Sequence, residues 1–202
     1  MTEGSSNDRK RRFMALFTPA QPRLQRFVLA MTRDSEAAKD IVGETILIAF
    51  QRFDTLRDDK AFLSFLFTIA TRVAHRRTRA GRFMADAAMV DFEQLFDRST
   101  PGDVLADIRL LYDALHKLPE KQREAILLYE IGGFSTAEIR EIQGGSLVGV
   151  RVRIARGRKR LAAMLGVSDG HRTGTPPHRE LEEDGPFAAM GSGLETEFGI
   201  KR

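Results

Sequence analysis

The segment from Leu118 to Leu165 constrains the fold more than any other part of the sequence. It spaces apolar residues, capping residues and glycines as two short helices followed by a longer basic one. Pro119 stands where a helix can begin, because proline lacks an N–H that the first turn would leave unbonded. Ser135 and Glu138 have the spacing of a capping box, which predicts a second helix that ends at the glycine pair 144–145.

Ser146 is placed to cap the third helix of this segment, whose residues separate into an apolar seam and a basic outer surface. Two helices joined by a short glycine turn, the second positively charged, typically place a recognition helix in the DNA major groove. The alternative is a solvated basic face on an ordinary bundle helix. The seam consists of Leu147, Val150, Ile154, Leu161 and Leu165, and the basic residues are Arg151, Arg153, Arg156, Arg158, Lys159 and Arg160.

Composition and charge narrow the class of protein. The 202 residues contain no cysteine, which excludes disulfides and thiolate metal sites. No apolar run approaches the length that spans a bilayer, and the first residues lack the apolar core of a signal peptide, so we expect a cytoplasmic protein without membrane insertion. The net charge is +4, yet residues 167–202 carry seven acidic against four basic side chains. The remaining chain is therefore strongly basic, as nucleic-acid-binding proteins often are.

The N-terminal half predicts several more helices. Residues 1–12 are polar and are expected to be flexible, and Pro19 and Pro22 indicate a break before a helix with an apolar stripe. Asp34 is predicted to cap the next helix, on which Asp40 and Glu44 stand four residues apart.

A later helical segment, residues 61–82, changes from an apolar to a basic character along its length. Its second half carries Arg72, His75, Arg76 and Arg79 at helical spacing. A cationic strip beside aromatic residues suits single-stranded or melting DNA, since arginines bind phosphates and rings stack on bases. The alternative is that Phe50, Phe62, Phe65 and Phe67 fill the core, which we favour for Phe62 and Phe65.

Motifs in both halves of the chain, in the same order along the sequence, resemble those of the extracytoplasmic-function sigma factors. These are the small two-domain initiation subunits of bacterial RNA polymerase. AAKDIVGETI from Ala37 to Ile46 and FLFTIATRVA from Phe65 to Ala74 are similar to the family patterns DAEDLVQETF and WLFTIARNLA. The segment from Lys117 to Leu161 follows the pattern of the family's second domain without a gap. The resemblance covers Phe13 to about Gly166.

The resemblance implies an all-α fold of two small helical domains joined by a flexible linker, the second a helix-turn-helix domain. The expected divisions are a flexible N-terminus over 1–12, a region 2-like domain over 13–80, a linker over 81–102, a region 4-like domain over 103–166 and a disordered tail over 167–202. The linker's acidic residues either mimic nucleic acid in the polymerase cleft or belong to a plain tether.

The resemblance also implies a role for each group of polar residues. Asp40 and Glu44 match the acidic positions that dock on core RNA polymerase. The loop 53–60 matches the segment that captures a flipped base of the −10 element, and the helix after it handles the adjoining DNA. The implied −10 contacts are Asp54, Thr55, Arg57, Lys60, Arg72, Arg76 and Arg79, and the implied −35 contacts are Ser146, Val148, Gly149, Arg151, Val152, Arg153, Ala155, Arg156, Arg158 and Lys159.

Several positions depart from the family pattern. A glutamine of the first motif is Gly43 here, which weakens the helix by about 1 kcal/mol relative to alanine. In the third helix of the second domain Gly149, Val152 and Ala155 replace a threonine, a serine and a histidine, so most hydrogen-bonding side chains at reading positions are lost. We therefore predict a short −35 preference that depends on Arg151 or on DNA shape.

Three functions are compatible with these features. The first is a sigma factor that binds core RNA polymerase and promoter DNA and is a monomer when free, with an anti-sigma factor as regulatory partner. The second is a sigma-like mimic that sequesters an anti-sigma factor without initiating transcription, and the third is a helix-turn-helix regulator that acts without polymerase docking. No catalytic constellation or phosphate-binding glycine loop is recognisable, so neither an enzyme nor a cofactor is expected.

Overall fold

The computed structural model describes residues 3–79 and 101–166, and these residues form seven α-helices and no strand. The predicted linker up to residue 100 and the predicted tail from residue 167 lie outside the described residues. The all-α prediction is confirmed. The helices are α1 (Glu3–Thr32), α2 (Ser35–Gln51), α3 (Phe62–Arg79), α4 (Gly102–His116), α5 (Glu120–Glu130), α6 (Thr136–Gln143) and α7 (Leu147–Leu165), with 3₁₀ turns at Phe53–Thr55 and Asp59–Ala61.

Helix α1 begins well before Phe13, where the sequence predicted a flexible start. Two arginines of this early part are held by acidic residues of the loop between α2 and α3. Arg9 pairs with Asp54 across 3.2 Å, and the Nε atom of Arg12 donates to Asp59 across 3.1 Å. Phe13 itself is buried. These long-range contacts order the first turns of α1, and a local reading of polar residues could not anticipate them.

Pro19 and Pro22 lie inside α1 and do not end it, in contrast to the predicted break. Each proline removes a backbone donor, which costs roughly 3 kcal/mol in an isolated helix interior. Phe17, Ala20 and Leu24, which flank the two prolines, are all buried. The packing of this apolar face offsets the lost hydrogen bonds, because tertiary burial routinely outweighs intrinsic helix propensity.

The first three helices form one packed unit. Leu24, Phe27, Ile41, Leu66 and Phe67 are completely buried between them. Asp34 caps α2 as predicted, since its side chain accepts a hydrogen bond from the Ala37 amide across 3.0 Å. The core role favoured for Phe62 is confirmed by its burial, and Phe65 is half-buried against the same core.

Helices α5, α6 and α7 form the predicted helix-turn-helix, with α4 packed against α7. The capping box of Ser135 and Glu138 is present at the start of α6, and the Ser146 hydroxyl caps α7 by accepting from the Gly149 amide across 3.0 Å. The turn between α6 and α7 needs positive φ at Gly144 (75°) and Gly145 (93°), which glycine adopts without strain.

Helices α5 and α7 approach closely at Gly157, a contact that the sequence reading did not single out. A Cβ atom at this position would stand 2.5 Å from the Cδ1 atom of Ile126. Glycine is therefore needed here for its lack of a side chain. The contact sets how deeply the apolar seam of α7 packs into the domain.

The two domains also pack against each other, which the sequence did not predict. The buried rings of Phe67 in α3 and Phe134 before α6 meet edge to face with centroids 5.1 Å apart. Elsewhere in the interdomain contact, the Nε2 atom of His75 lies 2.8 Å from the carboxylate of Glu124, which is completely buried. Burial would raise the pKa of Glu124, but the hydrogen bond with His75 and the charges of His75 and Lys121 lower it. One continuous hydrophobic core results.

His116 at the end of α4 contributes a second titratable group to this interdomain contact. It faces the Ala30 backbone and the side chains of Arg33 and Asp113, which form an ion pair, and Arg123 lies close by. Burial, followed by the positive charges of Arg123 and Arg33, lowers the pKa of His116 to about 4. The side chain is therefore neutral at physiological pH.

Acidification is expected to weaken the folded chain, because His116 must stay neutral in it. Since its pKa falls from 6.5 to about 4 on folding, the unfolded chain binds more protons between these values. The free energy of unfolding should therefore be fully retained above that window and fall within it, by at most about 1.4 kcal/mol per pH unit. Urea unfolding at about pH 7 and about pH 5 should show the loss for the wild type and a smaller one for His116→Gln.

The lowered pKa of Glu124 acts in the same direction but only below its ordinary value of 4.5, so the chosen window separates the two groups. Equal losses in the wild type and in His116→Gln would contradict the assignment to His116.

A pair of glycine variants tests the contact between α5 and α7. Gly157→Ala should lower the free energy of unfolding by roughly 1 to 3 kcal/mol, since the new methyl group collides with Ile126. Gly43→Ala is the matched control, because Gly43 also lies inside a helix but has no atom within 4 Å of the Cβ position. It should raise the free energy of unfolding by about 0.5 to 1 kcal/mol. Chemical denaturation of both variants measures the difference, and two shifts of the same sign would refute the close contact.

Candidate nucleic-acid interface

Helix α7 presents one continuous exposed stripe to solvent. The stripe lies opposite the buried Val150, Ile154 and Gly157, whose packing fixes the rotation of the helix. Each of its residues has another member three or four positions away, so they share one face. The members of this stripe, called the α7 stripe below, are Val148, Arg151, Val152, Ala155, Arg156 and Lys159, all of them exposed.

Arg153 differs from its neighbours because its guanidinium is bound inside the domain. It donates to the Gln143 side chain across 2.6 Å and to the carbonyls of Gly144 and Gly149, each across 3.2 Å. These bonds tie the turn between α6 and α7 to the first turns of α7. A DNA contact from Arg153 would therefore have to compete with existing bonds. The Ser146 hydroxyl accepts the capping bond from the Gly149 amide and can still donate its own hydrogen.

Arg158 is bound in a similar way. Its Nε atom donates to Glu130 across 3.1 Å, and its guanidinium carbon lies 4.8 Å from the centre of the Tyr129 ring. In contrast, Arg151, Arg156 and Lys159 make no hydrogen bond or ion pair with any residue in the described ranges. Arg160 also donates within the domain, to the Gln122 side chain across 3.1 Å. The predicted basic surface of α7 thus divides into three arginines bonded within the domain and three exposed cations without such a bond.

The predicted polymerase-binding acids face the predicted −10 helix. Glu44 forms an ion pair with Arg76. Arg77, which the sequence reading did not select, donates to Asp40 across 2.8 Å and to Glu44 across 3.2 Å. The hydrogen bond with Asp40 raises the pKa of the Arg77 guanidinium, and burial opposes this effect. Arg77 lies about 100° around the helix from Arg76, outside the spacing by which the basic strip was chosen. Only the packing of α2 against α3 showed that it faces these acids.

The other predicted −10 residues are placed differently. Arg72 and Arg79 are exposed on α3 and make no hydrogen bond or ion pair with a described residue, whereas His75 between them faces Glu124 of the second domain. The cationic strip is therefore interrupted at His75. Its two remaining arginines are separated by two turns of helix, with the paired Arg76 between them.

The loop between α2 and α3 is partly occupied by internal contacts. Asp54 pairs with Arg9, and the Thr55 hydroxyl donates to the Arg52 carbonyl across 2.7 Å. Arg57 and Lys60 are exposed. Phe53, which begins the loop, is buried and serves the core.

Within residues 3–79 and 101–166, no group of histidine and carboxylate side chains is arranged to hold a metal ion. None of the helices in these ranges combines the length and hydropathy that a membrane span requires.

Comparison with known proteins relates both halves of the chain to one family. The model of sigma-70 region 2 matches residues 16–83, and the model of sigma-70 region 4 matches residues 108–161. The described helix-turn-helix, except for the end of α7, and all of its exposed stripe lie within the second match. The linker region and the tail are outside both matches, apart from the first linker residues.

Individual relatives agree with these matches. The chain is 30% identical over 149 residues to the ECF RNA polymerase sigma factor EcfG of Rhodopseudomonas palustris, covering 73% of this chain and 82% of the relative. It is 31% identical over 160 residues to the RNA polymerase sigma factor CarQ of Myxococcus xanthus, covering 76% and 89% respectively.

Among solved structures, the sigma factor RpoE from Bartonella quintana, crystallised with the anti-sigma factor NepR, superposes with a TM-score of 0.64 at 26% identity. The alignment covers 77% of this chain and 97% of that structure. The sequence motifs, the order of the helices and the similar proteins thus all indicate the same family. The chain belongs to the extracytoplasmic-function sigma factors, the group of the sigma-70 family that carries regions 2 and 4.

Proposed function

We propose that this chain binds core RNA polymerase and directs promoter-specific transcription initiation through the −10 and −35 elements. The observation that carries the proposal is the capped helix-turn-helix, whose α7 stripe combines exposure with three cations that have no partner in the described residues. Sigma factors are initiation factors and not enzymes. We further propose that the chain acts in the cytoplasm, needs no cofactor, and divides into a region 2-like domain over 13–80 and a region 4-like domain over 103–166.

Polymerase docking is assigned to the outer face of α2. Asp40, Gly43, Glu44 and Leu47 follow one another at helical spacing, and Leu47 is 56% exposed although it is a large apolar residue. Two carboxylates beside an exposed leucine suit a protein partner with basic and apolar groups. Because Asp40 and Glu44 already bind Arg76 and Arg77, docking would exchange internal ion pairs for external ones.

The same exchange supports a −10 role for α3. Arg72 and Arg79 are exposed already, and Arg57 and Lys60 extend the positive charge into the preceding loop. Arg76 would join them once Glu44 turns to the polymerase. Polymerase binding and −10 binding would then favour each other, since both compete with one internal ion pair.

Recognition of both elements requires the two domains to separate. The elements lie about 25 base pairs apart, which at about 3.4 Å per base pair is roughly 85 Å. A compact chain of this length has a radius of gyration of roughly 16 Å and cannot span that distance. The contacts of Phe67 with Phe134 and of His75 with Glu124 would therefore open when the chain binds polymerase and DNA.

An anti-sigma factor is the regulatory partner that we propose, and the free chain is proposed to be a monomer. The support is the solved RpoE structure, which is a complex with the anti-sigma factor NepR and aligns over most of both chains. A partner of this kind would compete with polymerase for the same interdomain surfaces.

Run-off transcription tests the function directly. Core RNA polymerase from the source bacterium is incubated with fragmented genomic DNA, with and without the protein, and the RNA 5′ ends are mapped. Discrete start sites that share upstream elements and appear only with the protein are the expected result. Polymerase binding without new starts would contradict initiation activity, and absence of polymerase binding would favour the sigma-like mimic.

Two arginine variants are expected to separate DNA contacts from internal ones. Arg156→Ala should reduce the salt dependence of promoter binding by the holoenzyme by about one unit of log K per log salt, since one phosphate contact is lost. Arg158→Ala is the matched control, because this arginine binds Glu130 and Tyr129 inside the domain. It should lower the free energy of unfolding by about 1 kcal/mol and leave the salt slope unchanged. Identical slopes for the wild type and Arg156→Ala would contradict the phosphate contact.

A further inference from the structure

The α7 stripe is apolar where a recognition helix usually carries hydrogen-bonding side chains. Val148 is 68% exposed and Val152 is 38% exposed, and both lie in the first two turns of the helix. These are the turns from which a recognition helix contacts base edges in the major groove. Arg151 is the one stripe residue of these turns whose side chain can donate a hydrogen bond, because the other two, Val148 and Val152, are apolar. The guanidinium of nearby Arg153 is bonded within the domain.

Valine can recognise only one feature of a base edge. A base pair in the major groove presents hydrogen-bond donors and acceptors, and thymine adds a 5-methyl group, which is apolar. A valine pressed against a donor or acceptor would leave that group without a partner, which is unfavourable. Contact with a thymine methyl group removes apolar surface of both molecules from water.

DNA is the occupant that the charges of the stripe indicate. Helix α7 contains no acidic residue, and the valines share their face with Arg151, Arg156 and Lys159. Such a surface suits a polyanion, whereas a protein groove that accepts valines would have to accommodate the three cations as well.

We propose that Val148 and Val152 read the 5-methyl groups of thymines in the −35 element, with Arg151 between them binding a neighbouring base edge. The proposal rests on the promoter recognition proposed above and names its specificity. The two valines are four residues apart, or about 6 Å along the helix axis. Two base steps of about 3.4 Å cover this distance, so the two thymines lie no more than two base pairs apart in the element.

Replacement of thymine by deoxyuridine tests the proposal, because it removes the methyl group and leaves the hydrogen-bonding edge unchanged. Holoenzyme containing the full chain is titrated with promoter duplexes, taken from the mapped start sites, in which each thymine of the −35 element is replaced singly. Competition binding at fixed salt measures the relative Kd. Deoxyuridine in the spacer between the two elements is the control substitution.

For the wild type, at least one deoxyuridine in the −35 element should weaken binding about fourfold, the equivalent of about 0.8 kcal/mol for one buried methyl group. Val148→Ala or Val152→Ala should weaken binding of the thymine duplex and abolish the difference between thymine and uracil at one position. Equal binding of all the wild-type duplexes, or a −35 element without thymine on either strand, would overturn the inference. Failure of the holoenzyme to initiate at any promoter would instead refute the proposed function.

Thermal unfolding of both variants provides the check on folding. Both valines are exposed, so the variants should unfold at the wild-type temperature. The comparison of thymine with uracil in the wild-type holoenzyme needs no variant, so a folding defect in a valine variant cannot hide a negative result.

Discussion

The closed arrangement of the chain depends on how the buried carboxylate of Glu124 is paired across the domain interface. A charged group without solvent is costly unless it is paired and hydrogen-bonded, and removing the partner of a buried charge typically costs about 3 to 5 kcal/mol. His75 supplies that partner from the other domain, 2.8 Å away, and Lys121 adds a positive charge from the same helix. The buried rings of Phe67 and Phe134 join the same two domains through an apolar contact.

Helix α7 shows how a buried face determines an exposed one. Val150, Ile154 and Gly157 fix the depth and rotation of the helix, and the cap at Ser146 together with the bonds of Arg153 fixes its beginning. The α7 stripe therefore has a defined direction before any DNA arrives. Preorganisation of this kind reduces the entropy that binding would otherwise cost.

The charged residues of the first domain are shared between two proposed sites. Asp40 and Glu44 satisfy Arg76 and Arg77 in the closed chain, and in our proposal each group later finds an external partner. Partly exposed ion pairs of this type contribute little net stability, because solvent screens them and the side chains lose freedom. They can therefore be exchanged at low cost, whereas the buried pair of His75 and Glu124 cannot.

Local sequence determined the features that depend on neighbouring residues. The capping box of Ser135 and Glu138, the caps at Asp34 and Ser146, and the glycine turn at 144–145 were all predicted, because hydrogen bonds and φ angles in a turn are set within a few residues. The apolar seam of α7 followed from its helical period. The motifs over residues 37–46, 65–74 and 117–161 carried the family resemblance, and with it the proposed sites.

Tertiary structure decided whatever depends on residues far apart in the chain. It extended α1 through two prolines, turned His75 away from the basic strip toward Glu124, and distinguished Arg153 and Arg158 from the exposed cations of the same helix. It also selected Gly157 as a point of close approach and joined the two domains in one core. The physical reason is that a side chain's partners are set by how helices pack, and helical periodicity indicates a face without naming the surface that meets it.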